Sequence, residues 1–362
     1  MKFEIESAST RKKKKKKREE QKLYIILIAF FSLASIMLLT TFLILQHGNK
    51  TKRIPVNQQQ PVEIPKKKEL TIFNEKSDDR PIAVMVDNAI GDAKHSGLQE
   101  SYLNYEIIVE GGLTRIMAIY KDKNATLVGP IRSARHYFLD YALENDAIYV
   151  HYGWSPYAEQ DIKKLNVNNI NGITDSTPFR RDTKLKSPHN VFSRLDYIKE
   201  YSSQKNYNET SNNWKLFEYS AEEKNLDTTE YVPKVASKIE LTYSNSEYRS
   251  YSYDSENKYY LRSQNGRAHL DNATNNQLHY KNIIIQRVEN TTKDTEGRQE
   301  LETVGSGKGY FITNGYYLPI NWKKDSREEK TRYYYENNEE ITLNDGNTFI
   351  QIVPIDSKIT IE

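Results

Sequence analysis

Arg132 and Arg135 stand three residues apart in GPIRSARHYFLDYA, residues 129–142. Gly129-Pro130 interrupts what precedes, and Ser133 is of the type that caps a helix. The stretch therefore predicts a helix opening near Ser133 with both guanidinium groups in its first turn. Cations are unfavourable there, because the dipole and the unpaired N–H groups of an amino end attract anions. The pair thus requires an anion, either an internal carboxylate or a ligand. Phosphate or carboxylate would suit forked guanidinium donors beside backbone N–H groups. Candidate members of one anion site are Arg115, Arg132, Arg135, Glu110, His151, Arg180, Arg181, Asp182 and His189. All lie at expected strand ends, turns or helix starts, where α/β domains build clefts. The competing reading is a structural network in which Glu110 or Asp182 neutralises the arginines.

Catalysis would draw on His151 or His189 as acid/base with Glu110 as partner. The chain has no GxSxG elbow and no SxxK. Ser133 and Ser155 read as helix caps, and Ser187 precedes Pro188 in a turn. Asp87, Glu110, His151 and His189 match no HExxH or EF-hand spacing, so neither metal nor cofactor is expected. GGL (residues 111–113) and GSGKG (residues 305–309) lack the spacing of a phosphate loop and read as turns. The chain has no cysteine, which excludes disulfides, thiolate metal sites and Cys nucleophiles.

The elements that must position these residues read as follows. Pro81 to Val86 is an apolar run of buried-strand type that ends at Asp87-Asn88. Two strands, 104–110 and 113–121, flank Gly111-Gly112 as a hairpin. The helix near Ser133 follows, then the strand in DAIYVHYGW, ending at His151, then a helix with Ser155 as cap and Pro156 first. This is an α/β-type domain with a mixed sheet over residues 80–205. Residues 206–230 read as a polar, exposed connection that includes a short helix. Residues 231–362 read as a mainly antiparallel β domain, so the fold class is α+β. Seventeen of the 27 tyrosines follow residue 200. Stacking on wall sugars is one use for them, but strand propensity accounts for the enrichment.

Leu23 to Leu45 is 23 residues without charge, proline or glycine. At about 1.5 Å per residue it can cross a hydrocarbon core of roughly 30 Å. RKKKKKKR before it against Lys50, Lys52 and Arg53 after it predicts a single-pass cell-membrane anchor with residues 1–22 as a cytoplasmic tail. Residues 46–79 read as an extracytoplasmic linker rich in Pro and Gln. The net charge is +3, and ten basic against four acidic residues put +6 of it in the tail. The exported remainder is therefore near −3, so no nucleic acid is expected as its partner, and any anion site must be local.

RPIAVMVDNA, YEIIVEGGLTRIMAIY, VGPIRSARHYFLDYA, YVHYGWSP, FRRD and PHNVF occur in this order, followed by GKGYF, INWKK and LNDGNTFIQIVP. Over residues 80 to 355 the chain resembles the YerB family of bacterial extracytoplasmic proteins, its first motifs matching the amino-terminal and its last the carboxy-terminal domain. Many relatives look like lipoproteins; this chain has an apolar helix and no lipobox cysteine. The resemblance implies fold and location and no settled activity. The expectation is an extracytoplasmic binding or scaffold module for an anionic wall polymer or an envelope protein. The alternative is a hydrolase or transferase acting on peptidoglycan or a phosphate-bearing wall polymer.

Overall fold

A computed structural model describes residues 8–48, 68–89, 94–228 and 231–362. The chain divides into two units, Met1–Lys66 and Lys67–Glu362. In the first, Ala8–Gly48 forms one helix, α1, that contains the whole apolar run and is long and apolar enough to cross a membrane. Most of the expected linker, residues 49–67, lies outside the described residues.

Residues 70–73, assigned by sequence to that linker, instead belong to the second unit. Ile72 and Phe73 are buried, and the Phe73 ring stands edge-on to Trp214 at 4.9 Å. The Asp345 carboxylate accepts from the Thr71 and Ile72 N–H groups at 2.9 and 3.0 Å. Two apolar residues in a polar stretch carry no periodicity, so this docking was not legible.

The second unit is built on β1 (Ile82–Asp87), β2 (Leu103–Ile108) and β3 (Thr114–Tyr120). Every residue of the three is buried, which explains apolar runs without alternation. Glu110–Gly112 closes the β2–β3 hairpin as a turn of 3-10 helix, with Gly111 and Gly112 at φ 69° and 70°. Next come α2 (Phe138–Glu144), β4 (Ile148–His151) and α3 (Pro156–Lys164), the last capped by Ser155 Oγ accepting from Ala158 N–H at 3.2 Å. Then follow β5 (Asn169–Asn171), β6 (Phe179–Arg181), β7 (Val191–Ser193) and α4 (Leu195–Gln204).

The expected helix start at Ser133 is corrected: α2 begins five residues later, at Phe138. The intervening backbone is engaged in sheet-like bonding. β4 pairs with β1 only over Ile82–Val84, and beyond it residues 130–132 take its place. Asp87 N–H donates to Pro130 O at 2.8 Å, and Arg132 N–H donates to Met85 O at 2.9 Å. Ala134 and Tyr152 N–H groups donate to Gly153 O and Arg132 O, both at 2.9 Å. Ser133 Oγ donates to Tyr152 O at 3.0 Å and caps nothing.

Eleven of the described strands form one mixed sheet. From one edge it runs β5-β4-β1-β3-β2, then Thr348–Pro354, Asn282–Val288, Gly305–Thr313, Tyr316–Lys324 and Arg332–Tyr334, with Lys234–Val235 beside Tyr316–Lys324. β2 pairs in parallel with Thr348–Pro354 from Leu103↔Thr348 to Ile107↔Ile352, so the sheet runs through both halves of the sequence. The 206–230 segment is not simply exposed: Trp214, Leu216, Phe217 and Leu226 are buried, and its only described helical turn is Leu226–Thr228.

A second, antiparallel sheet of six strands includes Lys238–Thr242, Tyr248–Asp254 and Tyr259–Gln264. It is tied to β2 by charge. Arg249 Nε and Arg262 Nη2 each donate to the Glu106 carboxylate at 2.6 Å, and all three side chains are fully buried. Burial pushes the Glu106 carboxyl up, but the two guanidinium groups outweigh it and hold it below its usual range. Several tyrosines serve this core. Tyr333 Oη donates to Gln286 at 2.6 Å, and Tyr260 Oη accepts from Gly315 N–H at 3.0 Å.

Candidate functional site

The end of β1 gathers most of the charged residues singled out above. Asp87 is the last residue of β1 and Arg115 is its register partner on β3, so both side chains leave the same face of the sheet. Residues 130–135 cross this end in extended form and bring Arg132 and Arg135 alongside. Gly129 makes the crossing feasible: at φ 147° it lies so near β7 that a Cβ would come within 2.8 Å of Val191 O. Val191 O in turn accepts from Ile131 N–H at 2.6 Å. That contact draws the segment before β7, with His189, against Arg132.

The three arginines have different partners. Arg135 grips Glu110 with two parallel bonds, Nε to Oε1 at 2.5 Å and Nη2 to Oε2 at 2.7 Å. Burial pushes the Glu110 carboxyl up, but Arg135 overrides it and holds it below the usual range. Glu110 is therefore an internal anion, and Arg135 is largely spent on it. Arg132 Nε lies 3.5 Å from Asp87 Oδ2, an ion-pair contact too long for a hydrogen bond, and is buried without a hydrogen-bond partner. Its Nη1 donates to Pro188 O at 3.2 Å. Arg115 is the most deeply placed, 6% exposed. It donates one bond, Nη1 to Ser133 O at 2.7 Å, and has no carboxylate within ion-pair distance among the described residues. Burial, aggravated by the charges of Arg135 and Arg132, pulls its guanidinium from 12.5 to about 9. It remains a cation at neutral pH, held where water is scarce.

Asp87 has four neighbours. Its Oδ1 accepts from Ala89 N–H at 3.1 Å, and its Oδ2 accepts from His189 Nδ1 at 2.5 Å while facing Arg132. His95 Nε2 donates to Asp87 O at 2.5 Å. Behind it, His95 Nδ1 meets His269 Nε2 at 2.8 Å, and burial holds both rings below the ordinary histidine range.

Other expected members lie apart from this cluster. His151 is fully buried, its Nδ1 bonded to Gly153 O at 2.8 Å and its Nε2 to Asn169 Oδ1 at 3.1 Å. Burial drives it down to about 4 despite both bonds, so it is a neutral core residue. Asp182 Oδ1 accepts from Lys184 N–H at 2.9 Å and neutralises neither arginine. Arg180 donates to Thr177 O and Phe179 O at 2.8 and 2.7 Å. Arg181 donates to Asn190 Oδ1 at 2.8 Å, its guanidinium 5.0 Å from the centre of the Tyr152 ring. Sequence reasoning left out Asp87 as the acidic centre and His95 behind it. The strand-end position of Asp87 was the available signal, but His189 lies 102 residues away in the chain.

The cluster stands out by charge rather than volume. A cavity of about 400 Å³ lined by His136, Tyr157, Lys293, Glu300 and Arg327 already has its charges paired, Arg327 with Asp140 at 2.6 Å and with Asp161 at 2.7 Å. Near Asp87, three guanidinium groups face two carboxylates, and the innermost cation has none of its own. Such a site favours an oxyanion.

Residues 70–208 match the family described as "Protein of unknown function (DUF3048) N-terminal domain", and residues 239–350 match its C-terminal domain. The chain is 31% identical over 252 residues to "Putative lipoprotein YerB" of Bacillus subtilis (strain 168), covering 68% of this chain and 73% of that protein. The crystal structure of the YerB protein from Bacillus subtilis superposes with a TM-score of 0.68 at 28% identity, covering 78% of this chain and 94% of that one. On shared sequence and shared fold, the chain belongs to the YerB family.

Proposed function

We propose that this protein is a membrane-anchored, extracytoplasmic binding module that takes up an oxyanion, phosphate or carboxylate, at Arg115 and Arg132. One observation carries the reading: Arg115 is a buried cation without a carboxylate of its own among the described residues. An arriving anion would relieve the repulsion among the three guanidinium groups and satisfy the buried Arg132 Nε. Anchoring is supported by the length of α1 and by the name of the lipoprotein relative. The basic run before Leu23 supports an outward-facing second unit. A phosphate-bearing wall polymer or an acidic envelope protein would supply the anion.

Two measurements test this. Inorganic phosphate should raise the thermal midpoint of the full chain saturably, and Arg115→Met or Arg132→Ala should abolish that rise. A phosphate effect that survives both substitutions rejects the site. Protease added to cells with a permeable wall should remove the second unit, and complete protection would reverse the orientation.

A further inference from the structure

Asp87 and His189 are arranged in a way that binding alone does not use. His189 Nδ1 donates to Asp87 Oδ2 at 2.5 Å, and the carboxylate is itself held by Ala89 N–H. An imidazole that donates from Nδ1 keeps its lone pair on Nε2. Among the described residues Nε2 has no partner, and it is not among the buried unpartnered atoms, so it faces accessible space. The His189 side chain is 19% exposed, against 5% for that of Asp87. The carboxylate thus orients a ring whose basic nitrogen is turned away from it, while Arg132 lies 3.5 Å from the same carboxylate oxygen and donates to the neighbouring Pro188 O. In hydrolytic enzymes a carboxylate that fixes the tautomer and direction of a histidine prepares it to take a proton.

We infer that Asp87 and His189 form a general-base dyad that hydrolyses a phosphate ester held at Arg115 and Arg132. The inference rests on the oxyanion reading. Arg115 and Arg132 hold the non-bridging oxygens and offset the charge that gathers on them. A water molecule attacks phosphorus as its proton passes to His189 Nε2. The new P–O bond forms as the ester P–O bond breaks, and the leaving alkoxide departs with the bonding pair. The alkoxide takes a proton from solvent and leaves as the alcohol, and His189 releases its proton to solvent. One water is consumed, and no oxidant, reductant or further reactant is needed. Asp87 acts through the ring as a positioning residue, and His95, bonded to Asp87 O, steadies it from behind.

The test uses the full chain in detergent, with p-nitrophenyl phosphate and bis(p-nitrophenyl) phosphate as probes. Their leaving group needs no protonation, so the base is isolated. Turnover should be measurable on at least one ester. His189→Ala should lower kcat 100-fold or more, within the range removal of a general base produces. Added imidazole should restore part of the loss in His189→Ala but none in Arg115→Met. Asp87→Asn should lower kcat with little change in KM. Tryptophan fluorescence checks that each variant folds, and His189→Asn replaces the alanine variant if that one does not. If the full chain binds inorganic phosphate but hydrolyses neither ester, or if turnover survives at His189→Ala and His189→Asn, the dyad is overturned and the binding site stands. If phosphate does not bind, the oxyanion reading has failed and the dyad falls with it.

Discussion

Arg115 and Arg135 sit in one cluster, yet their removal should move stability in opposite directions. Arg135 is the counter-charge of Glu110, whose side chain is 23% exposed. Arg135→Ala leaves that carboxylate without its bidentate partner. A fully buried pair broken in this way costs about 3–5 kcal/mol, and the partial exposure of Glu110 lowers the expected loss to about 1–3 kcal/mol. Arg115 has no such partner. Its pull from 12.5 to about 9 corresponds to ~5 kcal/mol of unfavourable environment at about 1.36 kcal/mol per pH unit, an upper bound. Arg115→Met removes that penalty together with one charged hydrogen bond to Ser133 O, worth roughly 1.5–3 kcal/mol. The net expectation is stability unchanged or raised by up to about 3.5 kcal/mol. The assay is urea unfolding of the full chain in detergent followed by tryptophan fluorescence, since Trp154, Trp214 and Trp322 all lie in Lys67–Glu362. Phosphate at a hundred times its dissociation constant should add about 2.7 kcal/mol to the parent and nothing to Arg115→Met. A loss above about 3 kcal/mol in Arg115→Met, with the phosphate increment intact, would refute the reasoning.

Three further outcomes are expected. Glu106→Ala should cost about 3–5 kcal/mol in urea unfolding, because it strands the buried Arg262 guanidinium and takes from Arg249 one of its two carboxylates, Glu247 being the other; a loss under about 1 kcal/mol would show that the halves are not tied there. Burial holds His151 at about 4 against an ordinary 6.5, so the folded state binds fewer protons than the unfolded one. Its contribution, up to ~3 kcal/mol, is therefore complete above pH 6.5 and lost as pH falls toward 4. His151→Gln should flatten the acid limb of the stability curve, and an unchanged slope would contradict this. Residues 68–362 expressed alone should unfold cooperatively, since their core and sheets are their own; an insoluble product beside a stable full chain would reject that organisation.

Local chemistry determined much of this protein in advance. The 23-residue apolar run required a helix of membrane-spanning length, Ser155-Pro156 required a helix start, and the paired glycines required the β2–β3 turn. Each rests on neighbours within a few residues, so sequence suffices. The carboxy-terminal strands were equally legible from β-branched and aromatic runs. The Ser133 helix was misread because nearby residues favoured a cap, while the backbone there is committed to bonds with β1 and with Tyr152 and Gly153. Those partners are distant in sequence and invisible to local propensity. The same holds for the site. That arginines gather near Glu110 could be read from their types and strand-end positions. Which arginine is neutralised, and which stays unpaired, depends on side chains from β1, β3, the hairpin turn and the segment before β7 meeting at one place. His151 and His189 look alike in the sequence, each near the end of an expected element. Burial made the first a neutral core residue, and a contact 102 residues away in the chain joined the second to the Asp87 carboxylate. Charge compensation and desolvation depend on distance in space rather than along the chain, so only the tertiary structure could decide them.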